Sequence, residues 1–220
     1  MRHDPACDSR LCFFSLSQRT LIEPVVVRQP LTPAPPTAAA QITSAMKPRL
    51  FSYAPPFAIT AAQRVGVRAP DRVKSIVTVC PLSAAGSAAP DEALAFFAST
   101  VRVDDAFRKL MRFMSGQLSD GWIEAKLEQS RSCASIDAKT TYLGMFRTNF
   151  AEEVRGSSTS IMLILGDHDP GLDEATIAPM FRSWYGNVIV ATMPNCGHYP
   201  MEEAPPYFAT TMERFLAVNS

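Results

Sequence analysis

Three short apolar runs constrain this chain more than anything else in it. They are Ser75-Ile76-Val77-Thr78-Val79-Cys80, Ser160 to Leu165 (with Ile161-Met162-Leu163-Ile164 at its centre), and Asn187 to Met193. Each has the length of a strand, none alternates apolar with polar residues, and each is separated from the next by stretches with helical periodicity. A strand without alternation is buried on both faces. Strands of that kind joined through helices form a parallel sheet with helices packed on it. The fold class expected from these runs is therefore α/β, with a parallel sheet of three strands.

The helical signals between the runs are specific enough to place. Ile59, Ala62, Val65, Gly66 and Ala69 share one face, and Pro70 stops that helix just before the first strand. Between the first and second strands no further strand pattern occurs. Leu94, Phe97, Ala98 and Val101 mark one helix; Phe107, Leu110, Met111 and Met114 a second; Ile123 and Leu127 a third; and Tyr142, Met145, Phe146 and Phe150 a fourth. Asp104 and Ser119 stand at positions expected to cap two of them. A helical insert at about 86–156 reads as a lid over the carboxyl ends of the strands. Asp173 should cap a helix bearing Ile177, Met180, Phe181 and Trp184. The last helix should bury Phe208, Met212, Phe215 and Leu216, with Pro205 and Pro206 tolerated in its first turn.

Residues 1–57 differ in kind. They hold nine of the 18 prolines and no glycine, so regular structure is hard to sustain there, and a mostly irregular segment without chemistry of its own is expected. Elsewhere composition mainly excludes. With 47% hydrophobic and 19% charged residues the chain is globular. Lys+Arg and Asp+Glu balance at 21 each, which leaves no field to hold nucleic acid or a membrane surface. No apolar run is long enough to span a bilayer. The five cysteines, Cys7, Cys12, Cys80, Cys133 and Cys196, are odd in number and lack a C-x-x-C pair. Neither a disulfide framework nor a zinc site is expected, and a reduced cytoplasmic setting fits.

Two strand ends carry the candidate chemistry. The second runs into Gly166-Asp167-His168-Asp169, and the third into Asn195-Cys196-Gly197-His198. An acid and then a histidine, each at the end of a strand, suit an acid–base pair in which the carboxylate orients the imidazole. Asp169 and His198 are the candidate catalytic residues, and Asp167 is the second choice of acid. The competing reading is a turn carboxylate and a hydrogen-bonded structural histidine. Metal is not expected at Asp167-His168-Asp169, because adjacent side chains diverge and no histidine cluster completes a shell.

These pieces resemble the C-terminal half of a lid-bearing α/β-hydrolase. The resemblance is carried by Ala69-Pro70-Asp71-Arg72-Val73 before a strand, Gly166-x-x-Asp169 after one, and Cys196-Gly197-His198 followed by Glu202-Glu203-Ala204-Pro205. It implies that the three strands are the last of an eight-stranded sheet. It also implies an esterase-like hydrolase acting on small apolar molecules without a cofactor, with Asp169 and His198 as the acid and base of a Ser…Asp…His triad. The nucleophile elbow G-x-S-x-G should then fall at Ala54-Pro55-Pro56-Phe57-Ala58. Both glycine positions there are alanine, and the serine position is Pro56. No G-x-S-x-G occurs anywhere in the 220 residues.

Because agreement stops near Ala58, a truncated or frame-altered gene start is expected, and activity should be impaired. Dehalogenases and epoxide hydrolases place an aspartate at the elbow, so its loss also hides the reaction type. Cys80 and Ser83 at the end of the first strand, and Ser44 and Ser52 before the elbow position, are the replacement nucleophiles to weigh. Cys80 reads more simply as a small buried hydrophobe. A sheet missing its earlier strands should expose the β-branched edge Ile76-Val77-Thr78-Val79, and self-association is the expected result.

Overall fold

The structure is a computed structural model, and it describes residues 56–133, 136 and 143–219. The proline-rich stretch up to Pro55, with Ser44, Ser52 and the first two elbow positions, lies outside the described residues, as does Tyr142. All three apolar runs form strands: β1 (Ser75–Val79), β2 (Ser160–Gly166) and β3 (Val188–Met193). They pair in parallel in the order β1-β2-β3, with Ile76 beside Ile161 and Ile161 beside Val188.

In β1 and β2 the missing alternation has the expected cause, because both faces of the sheet are covered there; β3 is an exception, half-buried along most of its length with Ile189 exposed. On one face Ile76, Ile161, Leu163 and Leu165 pack with Ala62 and Val65 of helix Pro56–Arg68. Ile177, Phe181 and Trp184 of helix Glu174–Trp184 complete that side. On the other face Val77, Val79, Met162, Ile164 and Met193 pack with Phe208 and Phe215 of the last helix, Pro205–Val218. Each such side chain contributes about 1.5–3 kcal/mol when fully buried, so β2, enclosed on both faces, is the spine of the core. Gly66 lets its helix sit close to β1: a β-carbon there would stand 2.8 Å from Ile76 Cδ1.

The connection from β1 to β2 is helical, in helices Asp91–Ser99, Asp104–Met114 and Asp120–Cys133. They form a separate cluster around Leu110, Met111 and Ile123, against which Phe96, Phe97, Trp122 and Tyr199 pack. Asp173 caps its helix as expected, its Oδ1 accepting from the Thr176 N–H at 2.8 Å. Ser119 likewise accepts from the Trp122 N–H at 3.2 Å.

Three expectations need correction. Asp104 is the first residue of its helix rather than the cap, which is Val103; its carboxylate instead accepts from Arg131 Nε at 2.9 Å. The fourth helix of the insert falls partly outside the described residues; its described end, residues 143–144, is helical and passes into a 3-10 turn, Met145–Arg147, so that Phe150 lies beyond it, just before a single turn, Ala151–Val154. That segment is pulled back to the loop after β1, with the Phe150 N–H donating to Ala84 O at 2.7 Å. Finally, the side chains of Ile76, Val77, Thr78 and Val79 are all buried. Among the described residues β1 has a strand neighbour on one side only, but its β-branched side chains are not a surface.

Candidate active site

The ends of β2 and β3 meet because the strands are adjacent and parallel. Beyond Gly166 the chain stays tied to β3, with the Asp167 N–H donating to Met193 O at 3.1 Å and the His168 N–H to Cys196 O at 2.9 Å. Asn195 takes a left-handed conformation, φ 58°, which asparagine tolerates better than most residues. That reversal brings Gly197 and His198 back over the strand ends.

The three residues of the β2 turn diverge. Asp167 turns to the β3 loop, where its Oδ1 accepts from the Cys196 N–H at 3.2 Å. The His168 side chain is half exposed. Asp169 points inward, fully buried, and its Oδ2 lies 2.8 Å from His198 Nδ1. With a carboxylate on Nδ1, the neutral imidazole carries its proton there and leaves Nε2 as the basic nitrogen. The other oxygen of Asp169, Oδ1, is buried without a hydrogen-bond partner among the described residues, apart from the weak donor that the nearby Cys80 thiol offers the carboxylate. Of the two acids, Asp169 is the one that faces His198, and Asp167 braces the loop that carries it.

The helical layer reaches the same loop. The His198 N–H donates to Met114 O at 2.8 Å, and a β-carbon on Gly197 would stand 2.3 Å from that oxygen. Only glycine permits so close an approach. Glu203 accepts from the N–H groups of Gly116 at 2.9 Å, Gly197 at 3.0 Å and Tyr199 at 3.1 Å. Glu202 accepts from Lys126 Nζ at 2.7 Å and from Trp122 Nε1. The Tyr199 ring lies edge-on to His198, 5.3 Å between centroids. Its hydroxyl pKa is raised by burial, helped by the charges of Glu202 and Asp169.

Glu202 and Glu203, which the sequence offers only as part of the motif after His198, lie on a separate short helix, Pro200–Glu203, just before the last helix, and act on the histidine loop and the insert. The signal that could have found this is the Gly197-to-Glu203 spacing, in which a short helix turns its last carboxylate back onto the backbone before it.

Sequence reasoning also undervalued Cys80. It follows β1 with its N–H donating to Ile164 O at 2.9 Å, and it holds φ 41°, a strained value for a residue with a side chain. Its sulfur, a carboxylate oxygen of Asp169 and a ring nitrogen of His198 all lie within 4.8 Å of one another. Burial, and then the Asp169 charge, push the thiol pKa well up. That protonated, enclosed thiol is poorly suited to nucleophilic attack. Ser83 is not drawn to the pair; its Oγ accepts from the Ala85 N–H at 3.0 Å in its own loop.

Comparison with known proteins gives the family and the fold. The family model described as the alpha/beta hydrolase family matches residues 51–211. No curated protein matches the sequence. An esterase (EaEST) from Exiguobacterium antarcticum is similar with a TM-score of 0.69 at 8% identity, over 81% of this chain and 72% of that one. Carboxylesterase CesB (YbfK) from Bacillus subtilis gives 0.60 at 15% identity, over 80% and 62%. A membrane phospholipase A described as a bacterial virulence factor gives 0.57 at 24% identity, over 72% of this chain and 54% of that one. These are likenesses of fold, and the chain spans between 54% and 72% of the length of those three structures.

Proposed function

The chain belongs to the alpha/beta hydrolase family, and from that premise we propose that it descends from hydrolases of esters or related small apolar substrates and keeps the acid–base half of their machinery. Asp169 holds the Nδ1 proton of His198 and compensates the charge that forms on the ring. Nε2 then takes a proton from an attacking hydroxyl and returns it to the leaving group. The observation that carries this reading is the 2.8 Å contact between Asp169 Oδ2 and His198 Nδ1 at the ends of adjacent parallel strands. Helices 91–133 serve as the lid over that edge. A small molecule is the partner. The balanced charge supports neither nucleic acid nor a membrane surface, and among the described residues no helix is long and apolar enough to cross a membrane. The free thiols of Cys80 and Cys196 support a reducing compartment such as the cytoplasm.

Turnover by this sequence is severely impaired. The expected nucleophile position is Pro56, which heads helix Pro56–Arg68 and brings neither a hydroxyl nor an N–H. Losing a triad nucleophile costs on the order of 10⁶ in kcat. The residual 10³–10⁴ over water comes from binding and an oxyanion hole, and the elbow that would help to form that hole is missing as well. The same Pro56 favours the second reading, a non-catalytic binding remnant that keeps the fold and the pair.

Hydrolysis of short-chain p-nitrophenyl esters by the full chain separates the two. Weak turnover abolished by His198→Ala supports the impaired hydrolase. No turnover above buffer leaves the binding remnant. Turnover at the level of an intact esterase would overturn the impairment.

A further inference from the structure

The sequence has no metal-binding motif, yet three strand ends bring a thiol, a carboxylate and an imidazole together. We propose that Cys80, Asp169 and His198 form a binding site for a divalent transition-metal ion, with Zn²⁺ the best match to its donors. The donor set is one sulfur, one oxygen and one nitrogen, the mixture that suits an ion of borderline softness better than Mg²⁺ or Ca²⁺. Ligand atoms about 2.0–2.3 Å from a tetrahedral ion stand roughly 3.3–3.8 Å apart. The three atoms already lie within 4.8 Å of one another, so a shift of about an ångström brings them to three of the four tetrahedral positions, and a water would take the fourth.

Two further observations point to a cation. Asp169 is buried, and among the described residues its Oδ1 has no hydrogen-bond partner beyond the weak donor that the nearby Cys80 thiol offers the carboxylate. An unpaired carboxylate oxygen in an enclosed site is costly, and native structures rarely leave one so. A bound cation supplies the missing partner. Independently, Cys80 is held at φ 41°. Such strain persists where the surroundings enforce it and clusters at functional sites. Here it aims a side chain at the end of β1 toward a pair that the strand alone would let it miss.

The exchange balances. Before binding, the site holds a neutral thiol, a carboxylate and a neutral imidazole with its proton on Nδ1. The dication takes the sulfur, a carboxylate oxygen and Nδ1. The thiol proton leaves to solvent, and the imidazole proton moves from Nδ1 to Nε2. Two negative ligands then neutralise the ion, with no oxidant or reductant involved. Because the ion takes the Nδ1 position that Asp169 otherwise bonds, metal occupancy and the hydrogen-bonded pair exclude each other. The site is thus an alternative state of the same residues, independent of whether the chain turns over any ester.

Titration of the full reduced chain with Co²⁺ tests this. One equivalent should give a thiolate-to-cobalt charge-transfer band in the near ultraviolet, with visible bands of tetrahedral intensity, and one equivalent of Zn²⁺ should bleach both. The bands should fall at least about tenfold in Cys80→Ser and in His198→Ala, and stay unchanged in Cys196→Ser. Absence of a charge-transfer band in the wild-type chain overturns the proposal, as does a band that survives Cys80→Ser. Should Cys80→Ser not fold, X-ray absorption of the Zn²⁺-loaded wild-type chain decides. A shell of one sulfur with nitrogen and oxygen supports the site; a shell without sulfur, or with several, overturns it.

Discussion

Gly166 and Gly197 cross so closely that a β-carbon on Gly166 would stand 2.1 Å from the carbonyl oxygen of Gly197. Neither glycine has a positive φ; both are required by approach. The end of β2 and the loop after β3 are pressed together there, and that contact lets Asp169 reach His198.

Replacing Gly166 with alanine therefore forces the two backbones apart. The expected cost is at least about 1–3 kcal/mol, as for overpacking elsewhere. Urea denaturation of Gly166→Ala should show a lower midpoint with an unchanged slope. A midpoint equal to wild type would mean that the two backbones can part at no cost.

Glu203→Ala should loosen the histidine loop specifically. It leaves the N–H groups of Gly116, Gly197 and Tyr199 without their acceptor, a loss of about 1–3 kcal/mol when such groups are partly enclosed. Hydrogen exchange at those three amides should speed up while the amides of β2 stay protected. Glu203→Gln keeps one acceptor oxygen and should recover part of the protection. Uniform acceleration across the sheet would instead point to global destabilisation.

Acid should separate helices 104–114 and 120–133 before it unfolds the sheet. Arg108 donates to Glu124 through Nε at 2.7 Å and Nη2 at 3.0 Å, and to Asp105 at 2.8 Å. Hydrogen bonding to Arg108, with its charge adding, lowers the Glu124 pKa. A lowered carboxylate pKa means that the unfolded state binds the proton more readily. This stabilisation is thus complete above the unfolded value of about 4.3 and is lost as pH falls through the lower folded value. Glu124→Gln should remove this part of the acid sensitivity. Tryptophan fluorescence, with Trp122 on the second helix of the pair, should show an acid-induced change in the wild-type chain that is smaller in the variant. Identical titrations would rule the contact out as the acid-sensitive point.

Self-association should run through β3 rather than β1. Ile189 on that strand is exposed at 37%, and a shallow apolar groove beside it includes Met162, Tyr207 and Val218. β3, like β1, has a strand neighbour on one side only among the described residues, and an unpaired edge with apolar flanks invites a second copy of the chain. Gel filtration should show concentration-dependent species that shift toward monomer in Ile189→Lys. A wild-type chain that stays monomeric at every concentration would sink the expectation.

Much of the fold is legible along the chain because its causes are local. The three strands appear as runs without alternation, and the helix at 174–184 appears through its cap Asp173 and the spacing of Ile177, Phe181 and Trp184. The misreadings arise where partners distant in the chain override a local signal. Met145, Phe146 and Phe150 have helical spacing, but the loop after β1 claims the backbones of Phe146 and Phe150 through Ser87 and Ala84, and that loop lies more than 55 residues away. Asp104 looks like a cap because it precedes an apolar face, yet Arg131, on another helix, is the partner it finds.

By itself the sequence determined the three strands and most of the helices, the order of acid before histidine, the family resemblance and the absence of a G-x-S-x-G at Pro56. Each of these depends on residues close together in the chain, where backbone sterics and burial periodicity decide. Only the tertiary structure decided that Asp169 rather than Asp167 faces His198, that Glu203 gathers three backbone donors, and that Cys80 joins the pair. Those outcomes depend on where side chains point after a turn and on which strand ends lie side by side. Parallel pairing in the order β1-β2-β3 sets both, and no spacing along the chain records it, because the three strand ends are joined by helical crossovers rather than by neighbouring residues.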